Sequence, residues 1–508
     1  MRPLLGLLAL LFVAPMACIE PLIKADTDSL KTYSEPFRPQ FHFSPKAHWM
    51  NDPNGLVFQG GRYHLFYQYY PDSTVWGPMH WGHATSKDLL YWTHQPLALY
   101  PDSLGYIFSG SAVMDYQNTS GFGTEEHPAM VAVYTYHNME GERSGRNDYQ
   151  TQGIAYSVDQ GQTWEKYIGN PVIDNPGIKD FRDPKVFWHE SSQNWILVLV
   201  AGDHARFYRS DNLIDWIFLS SFGQDFGAHG GVWECPDLYP LSTDQGEQKW
   251  VLSVSINPGG PNGGSATQYF VGDFDGTQFT TDQKDIKWLD YGRDNYAGVT
   301  YNDAPDDQRI LLGWMSNWDY AQVTPTSPWR SAMTLARRLD LKVENSDYYI
   351  VQHPVWDSTL IKHSSTLNIA EVNDGLMLPV SRSHIEFEVD LGANTTLELF
   401  NSNERFIFSI DADNAQMIID RRGSGAVDFS EQFAPGIQVK NYTPEYRNAT
   451  VEVFSDASSI EIFVDSGRHV FTNQVFPTQP YTHLKITTEG LISDKIIFSE
   501  LKSIWNEQ

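Results

Sequence analysis

One short pattern occurs three times in the sequence: an acid-bearing segment that contains proline is followed by an apolar segment with strand character. It reads Asn-Asp-Pro at residues 51–53, Arg-Asp-Pro at residues 182–184 and Glu-Cys-Pro at residues 234–236. Because proline fixes φ and removes a backbone donor, each segment predicts a turn that leads into a strand. A pattern that recurs over this length indicates a repeating structural unit, which restricts the fold strongly.

A second pattern alternates with the first. Turns rich in Ser and Asp end on an aromatic residue at Trp92, Trp164, Trp216 and Phe279, which lie roughly 50–70 residues apart. A β-propeller blade has four strands in roughly 40–50 residues, and more where its loops are long. The sequence therefore predicts an all-β chain in which residues 41–350 form a five-bladed β-propeller.

The pattern changes near residue 350. Apolar and polar residues alternate cleanly at residues 385–389 and 460–464, and no further acid-bearing proline segment appears. This alternation is typical of strands that bury one face, and it predicts a β-sandwich over residues 366–508 after a linker at residues 351–365. The 16 Trp, 26 Tyr and 28 Phe residues suit such a protein and would also suit surfaces that face carbohydrate.

The chain carries a formal net charge of −28. Nucleic acids and anionic membranes need basic surfaces, so the charge argues against both as partners and is compatible with a neutral substrate. The sequence has no His-Glu-x-x-His motif, no paired-cysteine motif and no phosphate-binding glycine loop, and we therefore expect no metal and no cofactor.

The first 18 residues have the pattern of an export signal, with a basic Arg2 and an apolar core at residues 4–13. Simple cleavage and lipid attachment at Cys18 are both compatible with this stretch, and residues 19–40 then form a polar tether. We expect an extracellular, periplasmic or lipid-anchored protein with no membrane-spanning segment. Either fate of Cys18 leaves Cys235 without a partner, so the protein is not built on disulfides.

Equivalent segments of propeller blades meet at one end of the central channel. Asp52, Asp183 and Glu234 should therefore face one cavity, although each could also be a structural turn residue. Two carboxyl groups in one cavity are the minimum for glycoside hydrolysis. Asp52 suits an ionised nucleophile because turn N–H groups and Asn51 favour its anion, and Glu234 suits the acid because its sequence neighbours are apolar. Asp183 beside Arg182 is interpreted as an ion-paired group that grips hydroxyls.

These residues lie in segments that closely resemble glycoside hydrolase family 32, the invertases, inulinases and levanases. The matching segments are residues 48–55, 66–69, 81–84, 108–111, 181–185, 233–237, 313–318, 329–331 and 461–463. The resemblance implies a five-bladed propeller plus β-sandwich and a retaining mechanism, with Asp52 as nucleophile, Glu234 as acid/base and Asp183 as transition-state stabiliser. It also implies a β-fructofuranoside substrate in a pocket formed by Asn51, Gln68, Trp76, Phe108, Ser109, Arg182 and Trp314.

The segment at residues 316–330 is more similar to that of exo-fructanases and microbial invertases, which favours release of terminal fructose from levan or inulin, with sucrose as a smaller substrate. Endo-levanases and levanbiose-releasing enzymes share the same motifs, and transfer of fructose to another sugar is a further alternative. A sialidase is a second enzymatic interpretation, because residues 157–164 fit the aspartate-box turn of those propellers. A fructan-binding propeller without activity is the non-enzymatic alternative.

Overall fold

The computed structural model describes residues 33–444 and 448–505. The N-terminal part consists of five sheets, whose strands are antiparallel except for one parallel pair in the first sheet. In chain order the strands of the first two sheets are β1 (His48–Gln59), β2 (Arg62–Tyr70), β3 (His80–Ser86), β4 (Trp92–His94), β5 (Tyr106–Asp115), β6 (Ala129–His137), β7 (Gln150–Ser157) and β8 (Glu165–Lys166), with the short helix α1 (Met139–Arg143) between β6 and β7.

The next three sheets follow the same plan. The remaining propeller strands are β9 (Phe181–His189), β10 (Asn194–Ala201), β11 (Ala205–Ser210), β12 (Ile217–Phe222), β13 (Val232–Ser242), β14 (Gln248–Asn257), β15 (Ala266–Phe274), β16 (Phe279–Thr280), β17 (Lys287–Trp288), β18 (Tyr296–Thr300), β19 (Arg309–Met315), β20 (Trp329–Arg330), β21 (Ala332–Met333), β22 (Arg337–Glu344) and β23 (Asp347–Pro354). Of these, β20 completes the first sheet, and the others form the last three. Short 3₁₀ turns lie at Pro305–Asp307 and Ala321–Val323.

The five sheets are the blades of a propeller. The first strands β1, β5, β9, β13 and β18 contact one another in that order, and β18 contacts β1 again, so they surround a central channel. Strand β20 comes from the far end of the propeller sequence and pairs in parallel with β1, with His48 opposite Trp329. This pairing ties the first sheet to the last part of the domain.

The C-terminal part is a sandwich of two six-stranded sheets. Its elements are β24 (Ile361–Asn368), α2 (Ile369–Val372), β25 (Leu376–Met377), β26 (Ser383–Asp390), β27 (Thr395–Phe400), β28 (Arg405–Asp411), β29 (Gln416–Asp420), β30 (Gln438–Asn441), β31 (Asn448–Asp456), β32 (Ser459–Val464), β33 (His469–Gln474), β34 (His483–Thr488) and β35 (Leu491–Leu501), with 3₁₀ turns at Ser358–Leu360 and Val380–Arg382. The all-β fold of a five-bladed propeller followed by a β-sandwich is thus confirmed.

The sandwich packs on the propeller through a shared core. Phe454, Phe463 and Val470 of the sandwich are buried in the same apolar cluster as Met50 and Leu65 of the first blade. Burial of large apolar side chains from both parts stabilises them as one body, since each buried side chain contributes about 1.5–3 kcal/mol.

Residues 1–32, which hold the expected export signal and Cys18, lie outside the described residues. The predicted tether is described from residue 33 onward, and there it is packed: Arg38 is fully buried and its guanidinium lies 4.5 Å from the Trp329 ring. Strands β23 and β24 reach into the predicted linker at residues 351–365. No helix within residues 33–444 and 448–505 is long and apolar enough to cross a membrane.

Candidate active site

The first strand of every blade has a β-bulge close to its start. The irregular pairings lie at Met50 to Pro53 in β1, Ile107 to Gly110 in β5, Arg182 to Lys185 in β9, Glu234 to Asp237 in β13 and Tyr296 to Val299 in β18. A bulge adds an unpaired residue and turns side chains away from the regular alternation, which is why bulges are frequent beside active sites.

The three acid-bearing proline segments are therefore bulged strands, and the predicted turns were wrong. Proline is tolerated there because a strand that lines the channel is the inner edge of its blade, and a bulge leaves one N–H out of the ladder. Asp183 and Cys235 have φ values of 64° and 44°. These left-handed conformations are uncommon for residues other than glycine.

The bulges surround a cavity of about 230 Å³ at one end of the channel. It is lined by Asn51, Asp52, Gln68, Trp76, Phe108, Ser109, His137, Glu142, Gln150, Asp180, Arg182, Asp183, Glu234 and Trp318. The predicted side chains thus come together from four blades, with the exception of Trp314. That side chain is fully buried behind the cavity wall, and its ring lies 5.0 Å from the ring of Trp318, which takes the place at the cavity.

Asp52 lies on the bulge of β1 and accepts three hydrogen bonds. The Asn51 amide donates to Oδ1 at 3.0 Å, and the Ser109 hydroxyl and the Cys235 thiol donate to Oδ2 at 2.7 and 3.5 Å. Burial raises the pKa of Asp52, the charge of Glu234 adds to this, and the three donors oppose it. Of the expected donors only Asn51 is found, because the other two are side chains of distant segments and not turn N–H groups. Burial outweighs all three donors, so the anion of Asp52 is held in an unfavourable place.

Asp183 lies beside Asp52 across the channel. Its Oδ2 accepts the Cys235 backbone N–H at 3.0 Å, and its own N–H donates to the Thr135 hydroxyl at 2.9 Å. The pKa of Asp183 is raised to about 7, chiefly by burial and also by the charges of Glu234 and Asp52, while Arg182 opposes the rise. The expected ion pair with Arg182 is loose, because Nε lies 3.8 Å from the nearest carboxylate oxygen.

Arg182 directs its guanidinium to two other acids. It donates to Asp180 at 2.7 Å and to Oε1 of Glu234 at 2.9 Å. Oε2 of Glu234 accepts the hydroxyl of Tyr296, which lies at the start of β18. The carboxyl group of Glu234 is therefore held from both sides by polar groups, each from a different blade.

The apolar surroundings expected for Glu234 from its sequence neighbours are not found. Trp233 is fully buried in the core between blades, where its indole N–H donates to the Ala228 carbonyl at 3.0 Å. Adjacent side chains of a strand point to opposite faces, so a neighbour in sequence need not be a neighbour in space. Glu234 faces Arg182 and Tyr296 instead.

Aromatic rings form one side of the cavity. Phe108 stacks on His137 with 4.1 Å between ring centroids, and Trp76 meets Phe108 edge to face at 6.1 Å. Burial, together with the charge of Arg182, lowers the pKa of His137 to about 3, so the imidazole is neutral at physiological pH. Such a wall can pack against the apolar face of a sugar ring without adding charge.

Sequence reasoning did not assign Tyr296, His137, Glu142, Gln150, Asp180 or Trp318 to the site. A signal existed for two of them: Asp180 lies two residues before Arg182, and Trp318 ends the segment at residues 313–318 that already stood out. His137, Glu142 and Gln150 reach the cavity from β6, α1 and β7, whose sequences carry no recognisable motif. Within residues 33–444 and 448–505, no group of three or more His, Cys, Asp or Glu side chains is arranged to hold a metal ion.

Two family models cover almost all of the described chain. The model of the glycosyl hydrolases family 32 N-terminal domain matches residues 42–354, and that of the family 32 C terminal matches residues 357–505. The chain belongs to glycosyl hydrolase family 32. It is thus a glycoside hydrolase, as the cavity with its carboxyl groups on separate blades also indicates.

Similar proteins support this membership over nearly the full length. A levanase of Bacillus subtilis (strain 168) is 45% identical over 500 residues, which cover 95% of this chain and 73% of the levanase. The extracellular exo-inulinase inuE of Aspergillus niger is 40% identical over 520 residues, which cover 93% of this chain and 96% of the inulinase. The crystal structure of exo-inulinase from Aspergillus awamori superimposes with a TM-score of 0.84 at 37% identity, over 93% of this chain and 100% of that one.

Proposed function

We propose that this family 32 enzyme is a retaining β-fructofuranosidase that releases terminal fructose from fructans and also cleaves sucrose. The observation that carries the proposal is the meeting of Asp52, Asp183 and Glu234 in one cavity of about 230 Å³. The levanase and exo-inulinase relatives support a fructan substrate, since both are similar to the chain over most of its length.

In this mechanism Asp52 attacks the fructosyl C2 and Glu234 gives its proton to the departing glycosidic oxygen. The first step breaks the bond between C2 and that oxygen and forms an ester with Asp52. In the second step Glu234 takes a proton from water, the water oxygen bonds to C2, and Asp52 leaves as the carboxylate. The Ser109 and Asn51 donors hold Asp52 in one orientation for both steps.

Glu234 must change protonation state twice in each cycle, and its contacts suit this. The guanidinium of Arg182 and the hydroxyl of Tyr296 both donate to its carboxylate, so they stabilise the charged form that follows proton transfer. Asp183 has only a loose ion pair with Arg182, so its carboxyl group can also bind substrate hydroxyls and oppose positive charge at C2. These assignments give each of the three acids a separate role.

The shape of the site supports terminal action. A cavity of about 230 Å³ that ends within the propeller channel suits a single sugar ring, whereas internal cleavage needs an open cleft for the chain on both sides. The relationship to exo-inulinases supports the same conclusion. The endo-acting alternative predicts oligosaccharides as first products.

Hydrolysis of levan, inulin and sucrose by wild type, Asp52→Asn and Glu234→Gln tests the proposal. We expect both substitutions to lower kcat by about 10⁴-fold or more, since each removes a group that takes part in bond breaking. Asp225→Asn, which changes an exposed carboxyl group outside the cavity lining, is the matched control and should keep full activity. Full fructan cleavage by Asp52→Asn would overturn the assignment.

Product analysis separates the alternatives. Fructose as the sole early product from levan and inulin supports terminal action, and a ladder of oligosaccharides at low conversion contradicts it. NMR spectra recorded during the first turnovers distinguish retention from inversion at C2. Mass spectrometry of products in concentrated sucrose measures how much fructose is transferred to sugar rather than to water.

Export is part of the proposal, because the similar inulinases are described as extracellular. Fractionation of the producing cells tests it: activity in the medium or at the cell surface is expected, and activity confined to the cytoplasm contradicts it. Mass analysis of the mature N-terminus distinguishes simple cleavage from lipid attachment at Cys18.

A further inference from the structure

A second and larger cavity lies at the opposite end of the propeller channel. Its volume is about 690 Å³. The first cavity is lined by residues near the starts of the innermost strands, whereas the second is lined by residues near their ends, such as Met114 of β5, Trp188 of β9 and Pro240 of β13. The segment after β18, residues 302–309, completes its wall.

A buried polar network separates the two cavities. The Lys185 ammonium group donates to the Thr300 carbonyl at 2.5 Å and to Asp237 at 3.3 Å. The N–H and hydroxyl of Thr300 also donate to Asp237, at 2.5 and 2.7 Å. The two cavities share no lining residue, and Lys185 and Thr300 of this network lie in the wall of the second one. The second cavity is therefore a separate compartment and not an extension of the active site.

Aromatic side chains form part of the wall of the second cavity. Tyr116 is 57% exposed, and Phe187, Trp188 and Trp250 are half-buried. Their rings come from the second, third and fourth blades. Aromatic faces of this kind pack against the C–H faces of sugars, and Trp and Tyr add a polar group at the edge.

Arg309 supplies an unusual charge to the same wall. Its Nε donates to the Pro240 carbonyl at 3.4 Å, and within residues 33–444 and 448–505 its two terminal amines have no hydrogen-bond or ion-pair partner. Burial lowers the pKa of Arg309, although the charges of Asp237 and Asp307 oppose this. A half-buried guanidinium that lines the cavity, and whose terminal N–H groups have no acceptor in the described part of the protein, can donate to a ligand that offers oxygen acceptors.

The remaining charges identify the class of ligand. Four carboxyl groups, those of Glu190, Asp275, Asp303 and Asp307, line the cavity with Arg309 and Lys185, and Asp237 already pairs with Lys185. The excess of negative charge disfavours a phosphate or a carboxylate. A polyhydroxy compound is suited to both kinds of group, because its hydroxyls donate to carboxylates and accept from the guanidinium.

We propose that this cavity is a second saccharide-binding site, which holds a neutral segment of fructan away from the bond that is cut. The choice of fructan rests on the proposed function; the choice of a neutral saccharide rests on the rings, Arg309 and the carboxyl groups. The volume of about 690 Å³ lies within the range of about 300–1,000 Å³ that is usual for ligand sites. A polymer held there raises the local concentration of its own chain ends at the active site. The local concentration of sucrose, which has no second part to bind, does not change.

The test compares polymer with sucrose in variants of the second cavity. Tyr116→Ala removes an exposed ring, Arg309→Gln removes the cation, and Phe218→Ala, an exposed aromatic on the outer strand β12, is the control. We expect Tyr116→Ala and Arg309→Gln to raise KM for levan or inulin about fivefold or more, with kcat/KM for sucrose within twofold of wild type. Phe218→Ala should change neither.

Binding without cleavage is measured by retardation in native gels that contain levan or inulin, with Asp52→Asn as the parent protein. Both cavity variants should migrate faster than the parent. If Tyr116→Ala and Arg309→Gln melt like wild type and keep both polymer KM and gel retardation within twofold, the site is refuted. If Arg309→Gln does not fold, Tyr116→Ala decides by itself.

The two proposals fail in different ways. If wild type cleaves neither fructan nor sucrose but is retarded by fructan, and Tyr116→Ala abolishes the retardation, the proposed reaction is wrong and the second site stands. If wild type cleaves fructan and the cavity variants keep wild-type polymer KM and retardation, the reaction stands and the second site is wrong.

Discussion

The active site and the interface between propeller and sandwich both bury several carboxyl groups, but they pair them differently. At the interface Arg337 of the propeller donates to Asp290 at 3.0 Å and to Glu461 of the sandwich at 2.6 Å. In the same way, Arg421 of the sandwich donates to Asp294 of the propeller. In the active site Asp52 has no arginine partner, and Asp183 has only a loose one.

The pKa values differ accordingly. Burial by itself would raise the pKa of Glu461, but the charge of Arg337 and the hydrogen bond from His42 lower it below its ordinary value. Burial raises the pKa of Asp52 and Asp183, and nearby acids raise it further. Carboxyl groups that are withdrawn from solvent in both places thus show opposite shifts of their pKa, and the nearby cations decide the sign. The paired acids of the interface stabilise the folded protein, whereas Asp52 and Asp183 of the active site are buried without cations that balance their charge.

Breaking the interface should have the largest effect on stability. Arg337→Ala leaves Asp290 buried without its cation and Glu461 with His42 alone, which costs about 3–5 kcal/mol in the free energy of unfolding. Arg338→Ala, the adjacent and partly exposed residue that pairs with Asp340, should cost less than about 1 kcal/mol. Urea titrations measure both, and similar losses for the two variants would contradict the comparison.

Removing the charge of Asp183 should have the opposite effect on stability. The pKa of this carboxyl group is about 7 in the folded protein, against an ordinary value of 3.8, so the folded state binds the proton more tightly. The contribution of Asp183 to the free energy of unfolding is therefore unfavourable above pH 7. This unfavourable contribution shrinks as the pH falls and is absent below about pH 4. As the pH rises from 4 to 7, the free energy of unfolding of Asp183→Asn should increase relative to that of wild type by on the order of 4 kcal/mol, although the variant loses activity. Melting curves at several pH values check this, and a constant difference would refute it.

His42 offers a test of the interface at alkaline pH. Its two ring nitrogens lie 2.8 Å from Asp456 and 2.8 Å from Glu461. Burial would lower the pKa of His42, but these two acids raise it to about 9 from an ordinary value of 6.5. The stabilisation is therefore complete below pH 6.5 and lost as pH rises through 9.

Urea titrations measure the free energy of unfolding of wild type and of His42→Asn. The excess of wild type over the variant should shrink by on the order of 3 kcal/mol between pH 6.5 and pH 9. The matched substitution His363→Asn, at an exposed position of β24, should leave the pH dependence as in wild type. An advantage that stays constant across this range would show that His42 is neutral in the folded protein.

The smallest expected effect concerns Tyr296, which holds Glu234 from the side opposite Arg182. Tyr296→Phe removes one hydrogen bond to a carboxyl group and should lower kcat about tenfold, with little change in the melting temperature. Tyr100→Phe, at an exposed position, is the control. Unchanged kcat in Tyr296→Phe would show that Arg182 positions Glu234 without this help.

Much of the active site was predictable from local sequence. The repeated proline segments identified three acids on separate blades, and their spacing placed these acids in one cavity, because a propeller brings the first strands together. The segment around Trp318 was recognised, but Trp314 was chosen from it. Which of two nearby tryptophans faces a cavity depends on the turn that follows β19 and on the packing against Trp49, and neither follows from residue type.

The order of apolar, polar, proline and acidic residues by itself determined the all-β fold, the change of architecture near residue 350 and the identity of the three acids. Tertiary structure alone decided that the proline segments are bulges, that Arg182 holds Glu234 and Asp180, and that burial raises the pKa of Asp52. The physical reason is the distance along the chain over which each effect acts. Strand alternation and backbone restriction act between sequence neighbours, whereas pairing register, burial and charge act through space between blades that are far apart in the chain.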